Sequence, residues 1–166
     1  TGADETWLKP RKNRDARAMN VRFPGAGLGP ERVVIVGCGR TGADIAVALS
    51  EAGYLAVILD IEMSAFDILP SGLIEDGDIQ PILGDGTLES DLRRAFAQDA
   101  SVFIAVSGND AANALSAQIA HHMLHIPKVI CRLNDLVMKE MYEGLELTTV
   151  SPTGLLRDLI IDATNG

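Results

Sequence analysis

The run Val33-Val34-Ile35-Val36-Gly37-Cys38-Gly39-Arg40-Thr41-Gly42, with Asp60 closing the next apolar stretch, holds the residues of this chain best suited to chemistry. That chemistry is the binding of a diphosphate joined to a ribose. Gly37 permits a tight turn, Gly39 lets the backbone approach a pyrophosphate, and Gly42 lets a following helix pack close. Main-chain amides at the start of that helix, with its dipole, favour an anion. Arg40 and Thr41 add a guanidinium and a hydroxyl. Arg40 either contacts the ligand or stands solvated at the helix start. Asp60, about 20 residues on, has the spacing of a carboxylate that accepts bonds from ribose hydroxyls. Its other reading is the cap of a short helix. Ile61 and Glu62 follow it, with no arginine nearby for a 2′-phosphate, so NADP is disfavoured.

Such residues must be held by a sheet. Four β-branched residues, Val33 to Val36, read as a buried parallel strand. From Arg32 onward, short apolar runs alternate with amphipathic segments. Strands are predicted near 32–36, 55–60, 78–83, 102–106, 128–132 and 147–150. Helices are predicted near 40–52, 64–69, 87–97, 110–124, 135–143 and 152–163. The pattern is α/β, a Rossmann-like doubly wound parallel sheet. Ligands of such sheets sit at the carboxyl ends of the strands, which marks the loops at 37–42, 60–63, 84–87, 106–110 and 132–135.

The chain has 166 residues, 47% of them hydrophobic, and a net charge of -9. An acidic chain is a poor partner for nucleic acid. Residues 1–30 oppose six basic residues to three acidic ones, a local +3, and end in Pro24-Gly25-Ala26-Gly27-Leu28-Gly29-Pro30. They read as a flexible basic arm and linker. Residues 31–150 form the predicted nucleotide-binding domain and 151–166 a C-terminal helix. No apolar run is long enough for a membrane span, and the two cysteines, Cys38 and Cys131, show no paired spacing. A reduced cytoplasmic compartment is expected. Cys38 reads as a neutral filler of the glycine loop, with redox chemistry as the alternative.

Further along lie Gly84-Asp85-Gly86-Thr87, Ala105-Val106-Ser107-Gly108-Asn109-Asp110 with Asn113, Cys131-Arg132-Leu133-Asn134-Asp135, and Val150-Ser151-Pro152. In this order and spacing, the stretch from about Arg32 to Ala163 resembles the potassium-transport nucleotide-binding domain. This is the KTN or RCK N-terminal lobe of the TrkA-N type. The resemblance implies a regulatory domain, not a catalyst. It would bind NAD(H) or ATP/ADP and pass the nucleotide state to a potassium channel or transporter subunit, as a homodimer or a larger ring. It also implies site roles beyond the glycine loop: Ile61 beside Asp60, Asp85, Gly86 and Thr87 facing the adenine, Val106, Ser107, Asn109 and Asp110 lining the pocket, Asn113 one turn on, and Arg132 near the distal half of the ligand.

Residue chemistry leaves bland readings open. Asp85-Gly86 makes a turn and Thr87 caps the next helix. Ser107, Asn109 and Asp110 cap the fourth helix. Arg132 pairs with Asp135 in a buried strand-end contact. His121 and His125, four apart, have metal-ligand spacing without a third ligand, and exposed helix-end histidines explain them better. Ser151-Pro152 starts a helix whose apolar stripe at 155, 156, 159, 160 and 163 seeks either a second subunit or its own sheet. Two other functions compete: a small NAD-dependent oxidoreductase, for which no Tyr-x-x-x-Lys pair is present, and the regulatory module of a proton-coupled potassium efflux system.

Overall fold

Apolar runs that are hydrophobic on both faces can only be buried between two helical layers, and this is how the chain folds. The computed structural model describes residues 29–165; the basic arm and most of its linker lie outside them. Six strands form one sheet, all neighbours parallel. They are β1 (Arg32–Val36), β2 (Leu55–Asp60), β3 (Ile79–Leu83), β4 (Val102–Ala105), β5 (Lys128–Arg132) and β6 (Thr148–Val150). The order across the sheet is β3-β2-β1-β4-β5-β6. The winding therefore reverses between β1 and β4, which opens a crevice above that pair.

The helices are α1 (Arg40–Glu51), α2 (Ser71–Glu75), α3 (Glu89–Arg94), α4 (Asp110–Gln118), α5 (Leu136–Glu143) and α6 (Pro152–Asn165). Strand alternation sends Val33, Ile35, Ala56, Ile58 and Ile79 to one face, where Ala43 and Ala46 of α1 and Phe66 cover them. Val34, Val36, Val57, Leu59 and Phe103 go to the other, against Leu92 of α3 and Ala114 and Ala117 of α4. Small residues on α1 and α4 bring those helices close to the sheet, so the loops at the strand ends are fixed from both sides.

Three predicted helices differ from the structure. The stretch at 64–69 is a 3-10 turn, Met63–Ile68, and α2 follows it after Pro70, where no helix was expected. Five residues are too few for a helical period to show. The helix at 87–97 shrinks to α3 and a separate 3-10 turn at Ala97–Asp99, because Phe96 takes φ 54°. That strained backbone is held by Arg32, whose guanidinium lies 5.3 Å from the Phe96 ring centroid. The helix at 110–124 is α-helical only to Gln118 and then widens into a π-helical turn, Ile119–Met123. His125 lies beyond that turn at φ 54°, so it does not share a helix face with His121, which instead meets Glu146 at 3.4 Å.

α6 is set apart from the rest. Ser151 caps it, its Oγ accepting the Gly154 amide at 3.1 Å. Past Gly154 every residue whose side chain is described is exposed. Leu155, Leu156, Leu159, Ile160 and Ile161 are 54–67% exposed. The helix does not cover its own sheet.

Candidate functional site

A cleft of about 440 Å³ opens at the carboxyl end of the sheet, over the β1–β4 reversal. The glycine loop forms its floor through Gly37, Gly39, Arg40 and Thr41. Asp60 from β2 and Val106, Ser107 and Gly108 after β4 form its sides, and Arg132 of β5 closes it.

The three loop glycines have different physical reasons. Gly37 has φ 103°, and a methyl group there would sit 2.7 Å from the Ser107 backbone. Gly42 has its α-carbon against the turn, and a methyl group would sit 1.9 Å from the Gly37 carbonyl oxygen. Gly39 is extended, at φ -75° and ψ -174°, and a methyl group there would meet nothing within 4 Å. Folding therefore demands glycine at 37 and 42 but not at 39. At 39 its smallness leaves a hollow beside the first turn of α1. That turn holds no acid, and no side chain caps it. Such a helix start is complementary to a phosphate.

Asp60 does not cap the following 3-10 turn, whose cap position is Glu62. Its Oδ2 accepts the Cys38 amide at 2.7 Å and its Oδ1 the Glu62 amide at 3.0 Å. The carboxylate thus braces the glycine loop against β2 while forming one wall of the cleft. Cys38 turns away: its thiol donates to the Ala65 carbonyl at 3.4 Å. Burial, with the Asp60 charge adding to it, pushes that thiol up to about 11. It stays protonated near neutrality and fills space.

Charge in the cleft is lopsided. Asp60 is the one carboxylate in its lining, against Arg40 and Arg132. Among the described residues neither arginine has an ion-pair partner. Arg132 is held by Asn134, with Nε and Nη2 each 3.3 Å from Asn134 Oδ1. The expected pairing with Asp135 is absent because Asp135 caps α5, accepting the Val137 and Met138 amides at 2.8 and 3.2 Å. Two guanidiniums and a bare helix start in one cleft are chemically suited to an anion.

Other expected residues stand around this cleft without lining it. Asn109 caps α4, accepting the Ala112 amide at 3.0 Å. Asn113 is fully buried behind Ser107. Its Oδ1 accepts the Ser107 amide at 2.9 Å and hydroxyl at 2.7 Å. Its Nδ2 donates to the carbonyls of Ser107 at 2.9 Å and Arg132 at 3.0 Å. With its hydrogen bonds spent on protein, Asn113 reaches the site only by holding the two walls together. Asp85 accepts the Thr87 amide at 2.8 Å and hydroxyl at 2.6 Å. Those bonds hold its carboxyl below the usual range. Thr87 does not cap the next helix as expected, because the cap position falls on Leu88, which offers no side-chain acceptor. Gly86 packs on the end of β1, where a methyl group would be 2.3 Å from Val36 Cγ1. Ile61 is 65% exposed at the rim. Asp110, expected in the pocket lining, instead accepts from Asn134 Nδ2 and the Asp135 amide. Gly108 lines the cleft and Asn134 holds Arg132; their signal in the sequence was only their place in the strand-end loops.

A family model described as the TrkA-N domain matches residues 33–152, the whole sheet with all its strand-end loops. The chain belongs to the TrkA-N domain family. It is 32% identical over 119 residues to a Trk system potassium uptake protein TrkA of Streptomyces coelicolor, covering 72% of this chain and 52% of that protein. The chain thus spans about half the length of that relative. Among solved structures, the TrkA-N domain of the inner membrane protein ybaL from Escherichia coli superposes with a TM-score of 0.69 at 16% identity, over 81% of this chain and 96% of that one. The Kef C-terminal domain of Shewanella denitrificans in its AMP-bound form gives 0.67 at 24% identity, over 81% and 80%. At these identities both likenesses speak to the fold.

In this TrkA-N domain, Asp60→Ala removes the brace of the glycine loop and the wall of the cleft together. Losing charge-assisted bonds of this kind costs about 1.5–3 kcal/mol. Titration calorimetry with ADP and NADH should show affinity falling by roughly 10- to 150-fold. Equal affinities in variant and wild type would remove Asp60 from the site.

Proposed function

We propose that this TrkA-N domain is a nucleotide-sensing regulatory module for potassium transport, binding NAD(H) or ATP/ADP in the cleft above β1 and β4. One observation carries the reading: Gly39, where the fold needs no glycine, leaves a hollow at an uncapped helix start, in a cleft lined by two arginines without an ion-pair partner among the described residues. Its relatives, a potassium uptake protein and an AMP-bound domain, support the ligand class and the setting. A 2′-phosphate would face the Asp60 carboxylate with no arginine at 61 or 62, so NADP is disfavoured.

The partner in this reading is a potassium channel or transporter subunit, met in the cytoplasm at the inner face of the membrane. No helix among the described residues is long and apolar enough to cross a membrane. The module works as a switch, not as a dehydrogenase. Melting curves with saturating AMP, ADP, ATP, NADH and NADPH test it directly. Stabilisation by the first four and little by NADPH is expected, with no substrate-dependent loss of NADH absorbance across aldehydes, ketones and hydroxy acids. No shift with any nucleotide would overturn the reading.

The same proposal includes a homodimer through α6. Fully burying a leucine or isoleucine contributes about 1.5–3 kcal/mol, and α6 leaves five such side chains in water. A second copy offers an identical helix to cover them. Light scattering should give twice the monomer mass. Leu159→Asp with Ile160→Asp should shift the protein to monomer. A wild type monomeric at high micromolar concentration refutes the dimer.

A further inference from the structure

The main chain at Arg132 and its guanidinium are held by different residues. Asn113 fixes the carbonyl from behind. Asn134 alone, among the described residues, holds the head group, through Nε and Nη2. Nη1 makes no described bond. Asn134 is in turn oriented by Asp110: its Nδ2 donates to Asp110 Oδ1 at 3.2 Å. The other oxygen of Asp110 accepts the Asp135 amide at 2.8 Å. Asp135 then caps α5. Leu136, the first residue of α5, packs on Gly154 of α6, where a methyl group would lie 3.2 Å from Leu136 Cδ2. A continuous set of contacts therefore runs from the cation of the cleft to the base of the exposed helix.

Resting on the nucleotide reading above, we propose that Asn134 is a positioning residue that presents Arg132 to the bound anion and couples cleft occupancy to the first turn of α5, and so to the base of α6. The physical reason is the division of labour at Arg132. Its carbonyl is bonded by Asn113 and its strand is paired with β6, so a phosphate drawn to the guanidinium acts first on the side chain and its holder. The load passes to Asn134 Oδ1 and from there to Asp110, whose two oxygens divide between Asn134 and the Asp135 amide. The coupling is positional: an anion that fixes the guanidinium fixes Asn134, and with it the Asp110 carboxylate that receives the Asp135 amide. Ordering at the cleft thus orders the cap of α5 at the other end.

The test uses ADP as the probe on the whole chain. In wild type, saturating ADP should slow hydrogen exchange at the Val137 and Met138 amides, which Asp135 caps. Asn134→Ala should weaken ADP binding about 5-fold, the scale of a lost supporting hydrogen bond, and should abolish that protection even at saturating ADP. In an Arg132→Gln background, Asn134→Ala should have no further effect on affinity. Unchanged affinity in Asn134→Ala, even with a lowered melting temperature, would reduce Asn134 to a structural residue and overturn the proposal. Effects that simply multiply in the double variant would overturn it too. Should Asn134→Ala fail to fold, the wild-type exchange measurement decides alone: ADP bound with no added protection at Val137 and Met138 refutes the coupling. Failure of the wild type to bind any of AMP, ADP, ATP or NADH is a different result, and sinks the nucleotide reading itself.

Discussion

Gly39→Val is expected to abolish nucleotide binding while the domain still folds. The position is extended and open, with nothing within 4 Å of an added methyl group, so a side chain can leave the main chain here without meeting the fold. The cost to the fold is confined to a poorer residue at the helix cap, on the order of 1 kcal/mol. The same side chain fills the hollow in front of the α1 amides, where the phosphate would sit. Affinity for ADP and NADH should drop by at least about 100-fold, more than 2.7 kcal/mol. Far-ultraviolet circular dichroism would establish folding, and nucleotide-dependent melting would read binding. A wild-type thermal shift with saturating NADH would contradict a phosphate at this loop. Gly39→Ala, smaller, should fall between the two.

Gly42→Ala should do the reverse, breaking the fold three residues away with a smaller side chain. Its methyl group would lie 1.9 Å from a backbone oxygen, that of Gly37, and neither partner is the movable end of a side chain. α1 must shift off the sheet to relieve it, uncovering Ala43 and Ala46, which are packed against β1 and β2. Overpacking of this severity costs on the order of 3 kcal/mol or more. For a domain of this size that is a fall in Tm of roughly 6–12 °C. Differential scanning calorimetry without ligand reads it. A melting temperature within a degree of wild type would mean that the loop and helix are not packed as described.

Side chains that act through period and local turn chemistry were legible in the sequence. The β-branched run of β1, the glycines after it and the spacing to Asp60 mark the strand end over which the cleft opens. Ser151-Pro152 likewise announces α6, and its stripe announces a helix with more apolar surface than its own sheet takes. What escaped prediction depends on partners distant in the chain. The break at Phe96 meets Arg32, 64 residues away. Asn113 carries nothing in its neighbourhood to say that it is buried, since the carbonyl it satisfies at Arg132 lies 19 residues on. The partner of Arg132 was misplaced by one residue because Asp135 is drawn to the amides of α5. Such competition between a cap and an ion pair is settled by helix geometry.

The clamp at Asn113 has a kinetic consequence. It joins the loops after β4 and β5 through four hydrogen bonds in the protein alone, so this wall of the cleft stands ready before a ligand arrives. Little ordering remains to slow the encounter, and different nucleotides should arrive at similar rates. Their discrimination then falls on how long each one stays. Under the proposed function, a sensor built this way would report the residence time of its ligand, and its response to a changing nucleotide pool would be no faster than the departure of the nucleotide already bound.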